Sequence, residues 1–171
     1  MSRPDDGLGF MLKYENIAWH QDGVVKILDR RVYPRKVEFV VCEDYKQVTQ
    51  AIADMVTQSG GPWMAVQQAM VMTAYQVQDQ PKDQAKSILR EAIQSLTHAR
   101  PTTSERMAAD MRKILEHAEA ALSAGEAVGP STEKFVRKSV DVIYARSRVI
   151  GENVVDLLPD KVTILTGAFI S

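Results

Sequence analysis

The first forty residues alternate between apolar and polar positions in short runs, which predicts β-strands. The runs "ENIAWH" and "VVKILD" flank Asp22-Gly23, a dipeptide typical of a two-residue hairpin turn in which both residues need a positive φ. A third run extends from Val37 to Cys42. These runs predict a three-stranded antiparallel meander, which is too small to be stable alone and must pack on another layer.

The rest of the chain to about residue 160 shows helical spacing of its apolar residues. Val48, Ile52, Met55 and Val56 share one face of a predicted first helix. The break "SGGP" follows, and the run "WMAVQQAMVMTAYQV" is apolar on most sides, which predicts a largely buried second helix that begins near Pro62. The sequence therefore predicts a helical layer centred on this second helix.

Two amphipathic helices and one long helix are predicted next. Their apolar positions are Ala85, Ile88, Leu89, Ala92, Ile93 and Leu96, and then Met107, Met111, Ile114, Leu115, Ala118 and Leu122. The capping-box pattern Thr102-x-x-Glu105 precedes the fourth helix, and Gly125 ends it. A fifth helix is predicted from about Glu133 to Leu158. The predicted fold class is α+β and mostly helical, with the meander packed on about five helices.

The end of the chain, "LLPDKVTILTGAFIS", predicts one more strand from Lys161 to Leu165. We therefore expect a flexible N-terminus over residues 1–11, a meander and helical domain over 12–160, and a separate final segment over 161–171 that contains this strand. A lone strand exposes both of its edges. We expect it to be disordered, to fold back on a neighbouring helix, or to pair with another chain.

Composition narrows the class of protein. The chain has 171 residues, of which 45% are hydrophobic and 25% charged, as in ordinary globular proteins. A net charge of −1 gives no electrostatic case for binding nucleic acid or an anionic membrane. No apolar run is long enough to span a bilayer, and the N-terminus lacks a signal-peptide pattern. These features predict a cytoplasmic protein.

Two breaks between helices are candidates for binding chemistry. In "QSGGP" the paired glycines precede a helix N-terminus, where free N–H groups and the helix dipole favour a phosphate. The simpler alternative is a turn followed by proline at the first helical position. Arg100 precedes the fourth helix and offers a planar fork to phosphate oxygens, although most single arginines in loops are simply solvated.

Other candidate chemistry is sparse. His20, His98 and His117 lack the spacing of metal ligands, and Cys42, the only cysteine, lies in a predicted strand where a buried thiol is usual. No serine–histidine–acid set or paired carboxylates stand out. The residues themselves thus predict a possible phosphate-binding helical domain, no metal site, no cofactor and no catalytic group.

A series of motifs carries a family resemblance. In order they are "LDRRVYP", "AIADMVTQSGGP", "HARPTT", "RSRVIGENVVDLLPD" and "VTILT", from about Leu12 to Thr166. This series resembles the methylthioribose-1-phosphate isomerase family, which shares its fold with the regulatory subunits of translation initiation factor 2B. The resemblance implies an N-terminal portion, a small sheet plus helices, that precedes a Rossmann-like domain, with the substrate phosphate between them. It implies that residues 161–171 are the first strand of that Rossmann-like domain, which is truncated in this chain.

The resemblance also implies site residues. The family's Arg-Gly-Ala-Pro loop corresponds here to Gln58-Ser59-Gly60-Gly61-Pro62, in which the arginine is missing and one residue is added. "ARPT" is intact, which implies that Arg100 binds phosphate or sugar. The family's cysteine corresponds to Ala168, and its catalytic aspartate lies beyond the residues of this chain. The resemblance therefore implies that this chain has no catalytic residue. The binding residues that it implies are Gln58, Ser59, Gly60, Gly61 and Arg100.

Two functions follow from the resemblance. The first is part of an aldose–ketose isomerase of methionine salvage that binds a phosphorylated pentose, as a homodimer or with a complementing C-terminal domain. The second is a non-catalytic regulatory or protein-interaction module. The altered "QSGGP" loop and the missing cysteine favour the second, whereas the retained motif order favours the first as ancestry.

Overall fold

The computed structural model describes residues 3–100 and 104–164, without the side chains of residues 104–106. The strands are β1 (Ala18–Gln21), β2 (Val24–Leu28) and β3 (Phe39–Cys42), and two short 3-10 turns (Phe10–Leu12 and Tyr14–Asn16) precede them. The helices are α1 (Tyr45–Ala53), α2 (Gly61–Gln76), α3 (Lys82–Thr97), α4 (Ser104–Ala124) and α5 (Val128–Val155). The predicted fold class, α+β and mostly helical, is confirmed.

The three strands form the predicted meander. They pair antiparallel in the order β1-β2-β3, with Ala18 opposite Ile27 and Val25 opposite Cys42. The hairpin turn has Asp22 and Gly23 at φ of 54° and 81°, as its sequence predicts. Side chains on one face of this sheet are buried, and β1 and β2 pack on α2. Packing on a helix supplies the second layer that so small a sheet requires.

Helix α2 is the centre of the hydrophobic core. It carries no charged residue, and nearly all of its side chains are buried. It contacts β1, β2 and all four other helices. The prediction of a largely buried second helix is therefore confirmed. Among the described residues, no helix is both long and apolar enough to cross a membrane.

Two predicted helix boundaries were wrong. Helix α1 ends at Ala53, and Met55 has a φ of 62° and is 41% exposed, so it does not continue the apolar face of that helix. Helix α5 begins at Val128 and not near Glu133, so that Gly129 and Pro130 lie in its first turn. A proline there loses no intrahelical hydrogen bond, since the first N–H groups of a helix have no partner within it.

The N-terminal segment is organised around a buried carboxylate and is hydrogen-bonded to α5. Asp5 is fully buried, accepts the N–H of Tyr14 at 3.1 Å and is bonded by the Arg3 guanidinium. Burial raises the pKa of Asp5, but these hydrogen bonds outweigh it and hold that pKa below its usual value. The Tyr14 hydroxyl donates to Asp141 of α5 at 2.8 Å. The bond to Asp141 places the segment beside the middle of α5.

Several predictions near the chain's loops and end lie partly outside the described residues. Thr102 of the predicted capping box and Leu165 of the predicted last strand are among those not described. Residues 161–164 are exposed and form no strand, because no neighbouring strand is present among the described residues to pair with them. The division at residues 11/12 and 160/161 stays a prediction.

Candidate functional site

A cavity of about 700 Å³ lies at the N-terminal end of α2. One side is the loop from Thr57 to Gly61 together with the end of β2, and the opposite side is the second half of α5. The N-terminal segment and α4 complete it. The described lining residues are Pro4, Leu8, Met11, Leu12, Asn16, Ile17, Leu28, Arg30, Thr57, Gln58, Ser59, Gly60, Gly61, Pro62, Trp63, Met64, Met107, Asp110, Ile143, Tyr144, Ser147, Arg148 and Gly151.

The loop before α2 presents backbone N–H groups that find no acceptor in the part of the chain that the structure describes. Ser59 has a φ of 59°, in the left-handed region, and Gly60 returns to φ −77°, ψ −9°. Successive residues of opposite hand form a concave set of amides that suits an anion. The amides of Ser59 and Gly60 donate to no residue in 3–100 or 104–164, whereas the Gly61 amide donates to the Gln58 carbonyl at 3.0 Å. The loop therefore offers two free donors beside the N-terminus of α2.

Gly61 makes this tight start of α2 possible. A Cβ atom added at Gly61 would lie 1.8 Å from Oγ1 of Thr57, far inside van der Waals contact. Thr57 is buried and lines the cavity, and Pro62 follows in the first turn of the helix. The glycine thus lets the loop fold closely against the helix that it precedes.

Among the described lining residues, three carry charged side chains: Arg30, Asp110 and Arg148. Asp110 of α4 accepts a hydrogen bond from Nε1 of Trp63 at 3.3 Å and pairs with Lys113 at 3.2 Å. Nη2 of Arg148 donates to the carbonyls of Pro4 and Asp6 at 3.2 and 3.1 Å. The two guanidinium groups exceed the one carboxylate, so the described lining carries a net positive charge.

Tyr144 adds a neutral hydroxyl to the wall formed by α5. Its ring meets that of Tyr14 edge-on, with centroids 4.7 Å apart. Burial, with a smaller contribution from the charge of Asp5, raises the pKa of Tyr144 to about 12. The hydroxyl therefore stays protonated at neutral pH and is suited to donating or accepting a hydrogen bond, not to acting as a base.

The structure brings most of the sequence-predicted binding residues together. Gln58, Ser59, Gly60 and Gly61 all line the cavity. Arg100 lies after α3, is partly buried, and is not among the described lining residues. Helix α4, which follows Arg100, reaches the cavity through Met107 and Asp110. A single site built from both breaks stays a prediction.

Sequence reasoning missed the charged lining residues. Arg30 lies in the motif "LDRRVYP", but strand alternation did not show which of its two arginines faces a cavity. Arg148 and Asp110 lie on helices whose spacing marks only their apolar faces. The signal that could have drawn attention to Arg30 is its place directly after a strand, a position from which side chains often project into a site.

The histidines and the cysteine lie apart from one another. Cys42 is buried in β3, and burial raises the pKa of its thiol to about 11, which makes it unreactive at neutral pH. His20 stacks on Tyr75 and His117 on Phe135, while His98 follows the end of α3. Within the described ranges, no group of three histidine, cysteine, aspartate or glutamate side chains could hold a metal ion.

Comparisons with known proteins place the chain beside one enzyme family. No protein-family model matches it. Over 84 residues it is 33% identical to a methylthioribose-1-phosphate isomerase from Caldanaerobacter subterraneus subsp. tengcongensis, a match that covers 48% of this chain and 24% of that enzyme. Its fold matches the crystal structure of 5-methylthioribose 1-phosphate isomerase from Pyrococcus horikoshii OT3 with a TM-score of 0.59 at 15% identity.

That structural match covers 70% of this chain and 35% of the Pyrococcus enzyme. The resemblance to the N-terminal portion of methylthioribose-1-phosphate isomerases that the motifs predict is thereby confirmed, and the chain is related to that isomerase family. It spans only 24% and 35% of the lengths of the two matched proteins. Similarity over a part of an enzyme establishes relationship and fold, not the activity of the whole.

Proposed function

We propose that this chain is the substrate-phosphate-binding portion of an aldose–ketose isomerase that acts in the cytoplasm on a 1-phosphorylated pentose such as methylthioribose 1-phosphate. The observation that carries the proposal is the loop before α2. There the amides of Ser59 and Gly60 donate to none of the described residues and lie at a cavity whose described lining has a net positive charge. Backbone donors at a helix N-terminus are a recurring way to hold a phosphate group.

The size and lining of the cavity support a phosphorylated sugar. A volume of about 700 Å³ lies within the range usual for small-molecule sites. Apolar side chains from the N-terminal segment and α2, such as Leu12 and Met64, line it together with the polar groups of Asn16 and Ser147. An anionic end at the loop and a less polar body against the apolar wall match that mixture.

We do not expect residues 1–171 to catalyse the isomerisation on their own. The reaction moves a proton between C1 and C2 of the opened sugar and needs a positioned acid and base. The resemblance assigns one of those groups to the position of Ala168, whose methyl side chain cannot transfer a proton. An assay of ketose phosphate formation by the purified chain tests this expectation, and turnover would contradict it.

Binding is tested by titrating the chain with ribose 1-phosphate and with ribose. The phosphorylated sugar should bind and raise the melting temperature, because a ligand that binds only the folded state stabilises it. Ribose should do neither at the same concentrations. Ser59→Glu places a negative charge at the free amides and should abolish binding, whereas Ser87→Glu, on the exposed side of α3, is the matched control. Equal binding of both sugars would contradict the proposal.

Arg100 needs a test of its own, since only the resemblance assigns it to the site. Arg100→Ala should weaken binding of ribose 1-phosphate by about tenfold, the usual loss for one charge-assisted hydrogen bond. Unchanged affinity would remove Arg100 from the proposed ligand set while leaving the loop in it.

A protein-interaction role is the second candidate, and the second half of α5 favours it. Val149, Ile150, Val154 and Val155 are each about half exposed or more, at 54%, 57%, 48% and 66%. Exposed apolar side chains in one stretch are typical of surfaces that another protein covers. The cover would be a second copy of the chain or a complementing C-terminal domain. Sedimentation of the wild type and of Ile150→Glu separates a self-associating chain from a monomer.

A further inference from the structure

The backbone of Arg30 is hydrogen-bonded to the start of the loop before α2. It lies two residues beyond the end of β2, and its amide donates to the carbonyl of Val56 at 2.8 Å. Val56 is buried and directly precedes Thr57, the first loop residue that lines the cavity. The backbone of Arg30 is therefore tied to the same segment that carries the free amides.

The two consecutive arginines of this segment are held differently. Arg31 is exposed, and its guanidinium donates two hydrogen bonds to the carboxylate of Asp29, from Nε at 2.9 Å and from Nη2 at 2.7 Å. Arg30 is partly buried and lines the cavity. Its guanidinium forms no hydrogen bond or ion pair with any residue in 3–100 or 104–164. One arginine thus has a structural partner, and its neighbour does not.

No other charged group of the described lining is placed to satisfy Arg30. The one carboxylate, Asp110, is already bonded to Trp63 and Lys113. Arg148 donates to two backbone carbonyls of the N-terminal segment. A guanidinium keeps its charge at any physiological pH and offers five N–H donors in a planar fork. Partial burial of such a group without a partner is unfavourable, and an anionic ligand would relieve it.

We propose that Arg30 is the side chain that binds the anionic group of the cavity's ligand, and that it thereby sets the preference for a phosphorylated over a neutral sugar. The inference rests on the proposed function, because it takes the cavity as the sugar-phosphate site. The inference goes beyond the proposed function because it names the charged side chain that contacts the phosphate. That side chain is a partly buried guanidinium on the strand side of the loop, and it complements the neutral backbone donors. The Arg30 fork and the loop amides contact the same phosphate oxygens.

The experiment measures affinity calorimetrically for ribose 1-phosphate, inorganic phosphate and ribose in four proteins. Arg30→Gln should weaken binding of both phosphate-containing probes by about ten- to a hundredfold, the range for a lost charge-assisted hydrogen bond. Arg30→Lys, which keeps the charge but not the fork, should lie between it and the wild type. Arg35→Gln is the matched control, since Arg35 is exposed and lies outside the cavity, and it should bind within twofold of the wild type.

The outcomes separate the two claims. Wild-type binding that Arg30→Gln leaves unchanged would overturn the role of Arg30 and leave the proposed function standing. Absence of wild-type binding would overturn the proposed function and this inference with it. Equal losses in Arg30→Gln and Arg35→Gln would show a general charge effect and overturn the specific role. If Arg30→Gln does not fold, as judged by circular dichroism, the affinity of Arg30→Lys decides in its place.

Discussion

The two ends of helix α2 use glycine in the same way but for different results. At the N-terminal end, Gly61 allows Thr57 to approach closely, and the loop opens onto a cavity. At the C-terminal end, Gly129 of α5 allows the ring of Tyr75 to approach, so that a Cβ atom would lie 2.6 Å from Cδ1 of that ring. The first contact shapes the loop of the proposed binding site, and the second closes the core.

The closed end is reinforced by its polar contacts. The Tyr75 hydroxyl donates to Glu133 of α5 at 2.6 Å, and the ring of His20 stacks on Tyr75 with centroids 5.3 Å apart. The hydrogen bond to Glu133, with burial, raises the pKa of Tyr75 to about 12, so the hydroxyl stays a donor across the physiological range. At the open end the backbone N–H groups of Ser59 and Gly60 have no such partner among the described residues. Polar groups satisfied within the protein indicate structure, and unsatisfied ones facing a cavity indicate binding.

The largest expected effect lies at the closed end. Gly129→Ala forces a methyl group against three ring atoms of Tyr75 that lie within 3.0 Å, and the ring is held by its hydrogen bond to Glu133. Overpacking of this kind costs about 1–3 kcal/mol, and we expect the upper part of that range for the free energy of unfolding. Urea denaturation measures it. The folded variant should bind ribose 1-phosphate as the wild type does. A loss of binding without a loss of stability would contradict a purely structural role for the C-terminal end of α2.

A smaller loss of stability, coupled to a loss of binding, is expected at the open end. Gly61→Ala should lower the free energy of unfolding by about 1–2 kcal/mol, because Thr57 can relieve part of the clash by changing its rotamer. It should also weaken binding, since the loop must shift.

The double variant Gly61→Ala/Thr57→Ala removes the clashing hydroxyl and gives a direct check. It should recover much of the stability lost in Gly61→Ala, which a double-mutant cycle reports as a coupling energy between the two positions. Additive losses would show that the close approach of Thr57 is not the reason for glycine at position 61.

The smallest effect is a dependence of stability on pH at the closed end. Burial lowers the pKa of His20 in the folded protein, with the charges of Glu133 and Asp22 opposing it, and Nε2 of His20 has no described hydrogen-bond partner. The unfolded chain therefore binds the proton more readily than the folded one. The contribution is fully favourable above the usual histidine pKa of about 6.5 and is lost as pH falls below it.

This contribution of His20 is measured by thermal unfolding of the wild type and of His20→Gln, each at pH 7.5 and pH 5.5. The variant should lose part of the decrease in melting temperature on acidification, whereas His98→Gln, at the exposed end of α3, should keep it. An identical decrease in the wild type and in His20→Gln would show that His20 does not titrate differently in the folded and unfolded chains.

Local patterns in the sequence predicted the core of the fold well. The uninterrupted apolar run of α2 and the Asp22-Gly23 hairpin depend on neighbouring residues, so periodicity and turn chemistry were sufficient. The boundaries failed where backbone conformation overrode hydrophobic spacing. Met55 fits the apolar face of α1 in sequence but adopts a positive φ, and Gly129-Pro130, which usually marks a break, begins α5.

The site was predictable only on its loop side. Gln58 to Gly61 form a local motif with a known backbone chemistry, and these residues line the cavity, while their role in binding stays a prediction. The opposite walls depend on contacts between distant parts of the chain, such as the bond from Tyr14 to Asp141, 127 residues apart. Sequence periodicity holds no information on such pairs, so the roles of Arg30, Asp110 and Arg148 required the three-dimensional structure.

We propose that a sugar phosphate binds at the N-terminal end of α2 and not at its C-terminal end. Proton–nitrogen correlation spectra recorded during titration with ribose 1-phosphate report on both ends at once. We expect the largest shifts at the amides of Ser59 and Gly60, while the amide signals of Tyr75 and Gly129 stay in place. Unchanged spectra, or larger shifts at Tyr75 and Gly129, would contradict it.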